Sequence, residues 1–219
     1  GHYDILLWVI DKGCPISSLT ASYVSRNGEL QILKYIYSKF PNILLDKFLF
    51  EYTAQDGQLE ILKWLHKNGC MGDSNSINMA IDSGYINVAK WLIEQGYEVD
   101  PMAIVNAISI NTLDFAKWLY DIVDKFDITT METAVVNAVE TGNMEIMDWL
   151  YKNNCILTSA SYIEACRGNN MQIMNWLYEK NCPFDLEVCN FAAEIGNLNM
   201  LKWLCGIGGP WNKNVCLLA

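Results

Sequence analysis

The chain has 219 residues, 52% of them apolar and 18% charged, which supplies enough apolar surface for a buried core and argues against disorder. No apolar run reaches the ~18–20 residues that cross a bilayer, and Gly1-His2-Tyr3-Asp4 does not resemble a signal or transit peptide. A net charge of −10 argues against DNA or RNA as the main partner, because phosphate binding needs a basic patch.

From its first residues the chain repeats itself. A bulky aromatic recurs at Trp8, Tyr35, Trp64, Trp91, Trp118, Trp149, Trp176 and Trp203, at intervals of 27, 29, 27, 27, 31, 27 and 27 residues. Five equal intervals out of seven mark an internal repeat. Seven residues before each aromatic stand Gly1, Gly28, Gly57, Gly84, Asn111, Gly142, Asn169 and Gly196, the residue types that tolerate the left-handed backbone of a tight turn. Gly1 already occupies this turn position, so the first repeat lacks its upstream helix. Ser17 opens the next helix, nine residues after Trp8, as Asp73, Asp100, Thr158, Asp185 and Asn212 do in their own repeats. The 29-residue interval places a two-residue insertion around Pro41–Asp46, in a loop between repeats.

Gly57–Cys70 is the clearest helix. Leu59, Ile61, Leu62, Trp64 and Leu65 make an apolar face, with Glu60, Lys63 and Lys67 mainly opposite and Gly69 closing the end. Its Ile61 belongs to a column with Ile5, Ile32, Val88, Phe115, Ile146, Ile173 and Met200. Eleven residues before the aromatic come Val24, Thr53, Ala80, Ala107, Ala138, Ala165 and Ala192, a small-residue column that lets two helices approach closely. Pro101 follows Asp100 at a first helical position, where its missing N–H costs nothing. The 31-residue interval puts four extra residues, Ile128–Met131, into another loop, where Thr129 and Glu132 have the spacing of a capping box. Each repeat is then a short helix, a Gly or Asn turn, a longer helix and a connecting loop. The expected architecture is all-α, an α-solenoid of about eight stacked helix-turn-helix repeats with short loops and little or no β-hairpin, forming one array over residues 1–219. Gly209–Cys216 repeats Cys182–Cys189 in step, and Ala219 lands on the small-residue column inside a helix. Both ends therefore fall within a repeat, and the chain is expected to be a piece of a longer array.

No arrangement of catalytic residues stands out. Cys14, Cys70, Cys155 and Cys182 all lie six residues after the aromatic, about one helix spacing apart from repeat to repeat. That is too far for Cys155 and Cys182 to bridge. No Cys pair has zinc-ligand spacing and the only histidines are His2 and His66, so the cysteines read as small buried thiols in a reducing compartment and no metal or cofactor is expected. The tryptophans read as core, and on that reading Trp91→Ala costs ~3–5 kcal/mol. Gly206, Gly208 and Gly209 end a helix rather than follow a strand, which excludes a phosphate loop, and Asp121 and Asp124 read as solvated helix-end residues.

The unit Met79-Ala80-Ile81-Asp82-Ser83-Gly84-Tyr85-Ile86-Asn87-Val88-Ala89-Lys90-Trp91-Leu92-Ile93-Glu94-Gln95-Gly96 resembles the ankyrin repeat, and the likeness extends over essentially the entire chain. Two features depart from that family. Asn75-Ser76-Ile77-Asn78 stands where it has Thr-Pro-Leu-His, and the period is ~27 rather than ~33 residues. A Trp at the first leucine position, a Cys after the final turn and the shortened unit are similar to ankyrin arrays of giant DNA viruses and amoebae. The resemblance implies a non-enzymatic protein-binding scaffold in the cytoplasm, of the host if the chain is viral, acting as an adaptor that holds a host or cellular protein on its concave face. The alternative is a structural spacer with no groove partner. The family's concave side corresponds to the exposed end of each first helix, so the candidate contact residues are the pairs before each turn residue: Arg26 and Asn27, Gln55 and Asp56, Asp82 and Ser83, Ser109 and Ile110, Glu140 and Thr141, Arg167 and Gly168, Glu194 and Ile195. The recurring acids point to a basic protein partner, with Ile110 and Ile195 as exposed apolar anchors. No nucleic acid, membrane or metal partner is expected.

Overall fold

The computed structural model describes residues 2–45, 47–123, 126–210 and 212–213. Readings that rest on Gly1, Asp46, Asp124, Trp211 and residues 214–219, including the register of Cys216 and Ala219, lie outside the described residues. Within them the chain is all-helical, with fifteen α-helices, one 3-10 helix and no strand. It forms two compact halves, Gly1–Asn106 and Ala107–Ala219.

In the first half the helices are α1 (Tyr3–Asp11), α2 (Ser18–Arg26), α3 (Leu30–Lys39), the 3-10 turn Pro41–Leu45, α4 (Lys47–Gln55), α5 (Leu59–Lys67), α6 (Ser74–Asp82) and α7 (Ile86–Glu94). Helix α8 (Met102–Ser109) runs across the division. The second half continues with α9 (Leu113–Ile122), α10 (Ile128–Thr141), α11 (Met144–Lys152), α12 (Ser159–Arg167), α13 (Met171–Glu179), α14 (Leu186–Glu194) and α15 (Leu198–Gly206). The first helix of each pair packs on its partner and on the first helix of the next pair: α2 on α3 and α4, α4 on α5 and α6, and likewise α10 on α11 and α12, α12 on α13 and α14. The small-residue column is buried on these first helices, at Thr53, Ala80, Ala107, Ala138, Ala165 and Ala192.

The turns follow one pattern. Ser83 caps α6, Gly84 takes φ +81°, its N–H reaches the carbonyl of Ile81 at 2.7 Å, and Tyr85 N–H reaches the carbonyl of Ala80 at 2.8 Å. This pair of bonds satisfies the last free carbonyls of the helix and needs a left-handed residue at its centre. Asn111 and Asn169 adopt the same positive φ where the glycine is absent.

Several sequence expectations are corrected. The two helices of a repeat are not short and long. Most helices have nine residues on either side of the turn, because the first helix begins at its Asp, Ser or Thr cap and runs to the turn without a break. The insertions are not open loops. Pro41–Leu45 winds as a 3-10 turn, and Ile128–Met131 extends α10 to 14 residues. Thr129 is therefore inside α10 and makes no cap. Asp127 does, its carboxylate accepting the N–H of Thr130 at 2.6 Å. Asp73, Asp100 and Asp185 cap their helices through a side-chain oxygen at 2.8–2.9 Å. Ser17 and Thr158 occupy the cap position with extended backbone and form no such bond.

The tryptophans are not uniformly core. The buried side chains of the second helices stand three and two residues before the aromatic and one after it, as in Ile61, Leu62 and Leu65 or Ile173, Met174 and Leu177. At 3.6 residues per turn the aromatic then lies roughly 100° from the centre of that stripe, on its flank. Trp176 is 7% exposed, Trp64, Trp91, Trp118, Trp149 and Trp203 are half-buried, and Trp8 is 61% exposed. Ile5, in the same helix α1, is exposed as well. The flank forms a ladder instead. The ring two residues after one aromatic meets the next Trp edge-on: Tyr37 on Trp64 and His66 on Trp91 in the first half, and Tyr120 on Trp149, Tyr151 on Trp176 and Tyr178 on Trp203 in the second, with centroids 5.4–5.9 Å apart and planes at 78–85°. Edge-to-face contacts of this kind add about 0.5–1.5 kcal/mol beyond area burial.

A candidate protein interface at the helix ends

The sequence-derived contact residues sit at the C-terminal ends of the first helices, where the last free carbonyls make the local potential negative. In the first half, Arg26 ends α2, Gln55 ends α4 with Asp56 next to it, and Asp82 ends α6. The structure brings Arg26 and Asp56 together. The guanidinium Nε donates to the Asp56 carboxylate, and its Cζ lies 5.6 Å from the Tyr52 ring centroid. This bond and the carboxylate's charge raise the Arg26 pKa further. Gln58 Nε2 donates to the Arg26 carbonyl at 3.0 Å, and the groove between these groups, about 480 Å³, is lined by Tyr23, Arg26, Asn27, Asp56, Gln58 and Tyr85. Asp82 is exposed by area, yet crowding around its carboxyl raises its pKa. Gln55 is half-buried.

In the second half Glu140, Arg167 and Glu194 are exposed at or next to the last residues of α10, α12 and α14. Arg167 repeats the stacking of Arg26, with Cζ 5.6 Å from the Phe191 ring, in the same register as Tyr52. Where Asp56 stands in the first half the second has Ile195. Arg167 Nη1 turns to Glu164 Oε2 of its own helix at 2.8 Å. A groove of about 530 Å³ opens beside it, with Arg167, Asn169, Ile195, Asn197 and Leu198 in its wall. Ile195 is exposed, as expected of an anchor. Ile110 is not: it is half-buried.

Sequence reasoning missed the residues that follow the turn. Asn143 Nδ2 donates to Asn111 Oδ1 at 2.5 Å and Asn197 Nδ2 to Asn169 Oδ1 at 2.9 Å, so each reaches back to the preceding turn. The same asparagines cap the second helices, Asn143 accepting from Glu145 and Ile146 N–H and Asn197 from Met200 N–H. Tyr52, Tyr85 and Phe191 were also missed. The signal available was the variety at the residue after the turn (Gln58, Tyr85, Thr112, Asn143, Asn170, Asn197), which a core column would not show.

No alternative chemistry gathers elsewhere among the described residues. Cys70, Cys155 and Cys182 are buried as expected, while Cys14 is exposed, and Cys14, Cys155, Cys166, Cys182, Cys189 and Cys205 are free thiols. Burial pushes the Cys155 thiol up to about 11 and those of Cys166 and Cys182 up to about 12, well away from a reactive thiolate. Among the described residues no three His, Cys, Asp or Glu side chains converge to hold a metal ion, and no helix is long and apolar enough to cross a membrane. A cavity of about 300 Å³ lies where the four-residue insertion meets the next repeat, between Tyr120, Phe126, Met131 and Cys155. No protein-family model matches the chain, and a search of curated proteins returns no relative.

Proposed function

We propose that the chain is an ankyrin-like α-solenoid that acts as a non-enzymatic scaffold, holding another protein against the ends of its first helices. The single observation that carries this reading is a division of labour within one register. The turn position stays Gly or Asn, the small-residue column from Val24 to Ala192 and the apolar column from Ile61 to Met200 stay buried, while the two residues before the turn change freely and mostly face solvent. A scaffold of constant core and variable rim is what a binding array needs. The range of the contacts also supports it. Side-chain hydrogen bonds between neighbouring repeats join residues 24 to 32 positions apart, close to one repeat length. The low-reactivity thiols suit a reducing cytoplasm, and the recurring acids suit a basic protein rather than a nucleic acid, a membrane or a metal. An adaptor of viral or amoebal type is the reading that the repeat style supports, with a spacer as its rival.

Charge reversal separates the two. The variant Asp82→Lys, Glu140→Lys, Glu194→Lys leaves the Arg26–Asp56 pair intact and touches only exposed ends. A partner recovered with the native chain and identified by mass spectrometry is expected to be lost with the variant, at unchanged helical content by circular dichroism. Retention of every such partner would favour the spacer.

A further inference from the structure

The second half presents alternating charge at one register, and its first-half counterpart shows how such a charge is satisfied. Helices α10, α12 and α14 lie side by side, so Glu140, Arg167 and Glu194 form a negative, positive, negative row with about 8–10 Å between neighbours. The two glutamates stand at helix C-termini, where the macrodipole disfavours their charge and a cation brought from outside relieves it. The central arginine is 63% exposed in its side chain. Among the described residues, Glu164 alone bonds its guanidinium, and only through Nη1. In the first half the equivalent arginine, Arg26, stacks on Tyr52 at the same 5.6 Å and takes the Asp56 carboxylate on Nε. Arg167 keeps the stack on Phe191 and has Ile195 where that carboxylate would be. The Arg26–Asp56 pair is thus an internal template for a complex that Arg167 is left to make with another chain.

We propose that this row reads an extended segment of a partner carrying a cationic, an acidic and a second cationic side chain, the acid on Arg167 and the cations on Glu140 and Glu194. In the polyproline II form of an extended chain the rise is about 3.1 Å per residue with three residues per turn, so every third side chain lies on one face at a spacing of about 9 Å, and the three charges fall at every third position. The pattern reads the same in both directions, so it sets the register of the segment and leaves its direction to other contacts. Ile195 and Leu198, 42% and 59% exposed, offer the intervening side chains an apolar floor beside the arginine. This inference rests on the helix ends being the interface. It goes further, since a uniformly basic partner would satisfy the glutamates and be repelled by Arg167.

The test uses the 219-residue chain and three capped peptides of the forms KSTESTK, KSTKSTK and ESTKSTE, titrated by NMR chemical shift at low salt. The mixed peptide KSTESTK is expected to bind the native chain about five- to tenfold more tightly than KSTKSTK, the scale of one partly exposed ion pair gained against one like-charge contact. Arg167→Glu is expected to reverse that preference, with KSTKSTK binding more tightly than it does to the native chain, a gain that a misfolded variant would not give. ESTKSTE is expected to bind neither. Equal binding of KSTESTK and KSTKSTK, an unchanged preference in Arg167→Glu, or no saturation by KSTESTK up to about 5 mM would each overturn the charge pattern. If the triple reversal at Asp82, Glu140 and Glu194 still abolished partner recovery, the interface itself would survive that failure.

Discussion

At the scale of single residues, the aromatic column shows how one repeated side chain takes on unequal structural weight. Trp176 is nearly buried, donates Nε1–H to Asp148 Oδ1 at 2.9 Å and meets Tyr151 edge-on. Trp176→Ala therefore removes packing, a ring contact and a hydrogen bond together, and is expected to cost about 3–5 kcal/mol in denaturant titration. Trp91 has a half-exposed ring on His66, so Trp91→Ala should cost less than the full core value, and Trp8→Ala less than about 1 kcal/mol. Equal losses at all three sites would restore the reading of the column as core. The turn glycines differ in the same way. A Cβ on Gly57 would sit 2.3 Å from the Tyr85 ring, at a φ of +72°. At Gly84 the φ is +81° but the space is open. Gly84→Ala should thus cost about 1 kcal/mol, the left-handed strain alone. Gly57→Ala should cost more, and the excess should vanish in the Tyr85→Ala background, a coupling that a double-mutant cycle measures directly.

At the scale of elements, two carboxylates at opposite helix ends make opposite predictions with pH. Asp127 opens α10, and the N–H of Thr130 holds its pKa below the usual 3.8. Its contribution is present above the unfolded pKa and is lost as the pH falls through the lowered folded value, so Asp127→Ala should flatten the acid limb of the stability profile. Asp82 closes α6, and desolvation raises its pKa above 3.8. For this group the folded state is favoured below the unfolded pKa and loses that advantage as the pH rises through the raised folded value. Asp82→Asn should therefore raise the thermal midpoint at pH 7 and change nothing near pH 3, in a scan across both. The acid that costs stability is one assigned to the interface, as expected where function is maintained against stability. The element starts at Asp73, Asp100 and Asp185 and the turns at Gly84 and Asn111 were legible because each depends on one residue type at one place. The role of Asp127 was hidden because Thr129 and Glu132 three residues apart mimic a capping box inside the helix that Asp127 begins. The flank position of Trp64 was hidden as well, since a large apolar ring reads as core until the angles of Ile61, Leu62 and Leu65 are compared. Arg26 and Asp56 are 30 residues apart, and their pairing emerges only once adjacent repeats are laid side by side.

At the scale of the whole molecule, the nearest-neighbour range of the contacts has a consequence for unfolding. In a stacked array each repeat is held only by its neighbours, so the outer ones open at lower denaturant than the inner ones; a single globule would open at once. The second half carries its own reporters. Cys189 lies in α14 and Cys166 in α12, one repeat further in, while Cys182 and Cys155 lie in the loops that lead into those two helices. All four are buried, and burial raises the pKa of each. None should react with a maleimide or iodoacetamide at neutral pH in the native state, whereas exposed Cys14 should react at once. As urea is raised, Cys182 and Cys189 are expected to become reactive at a lower concentration than Cys155 and Cys166, read site by site by mass spectrometry after brief pulses of label. Coincident exposure of all four would mean that this half unfolds as one cooperative body, and the stacked-repeat architecture would then have lost its main physical signature. Staggered exposure would mean that neighbour contacts alone hold each repeat. In that case a partner lying across α10, α12 and α14 would hold several repeats together at once, and its binding should draw the separate exposure steps toward one.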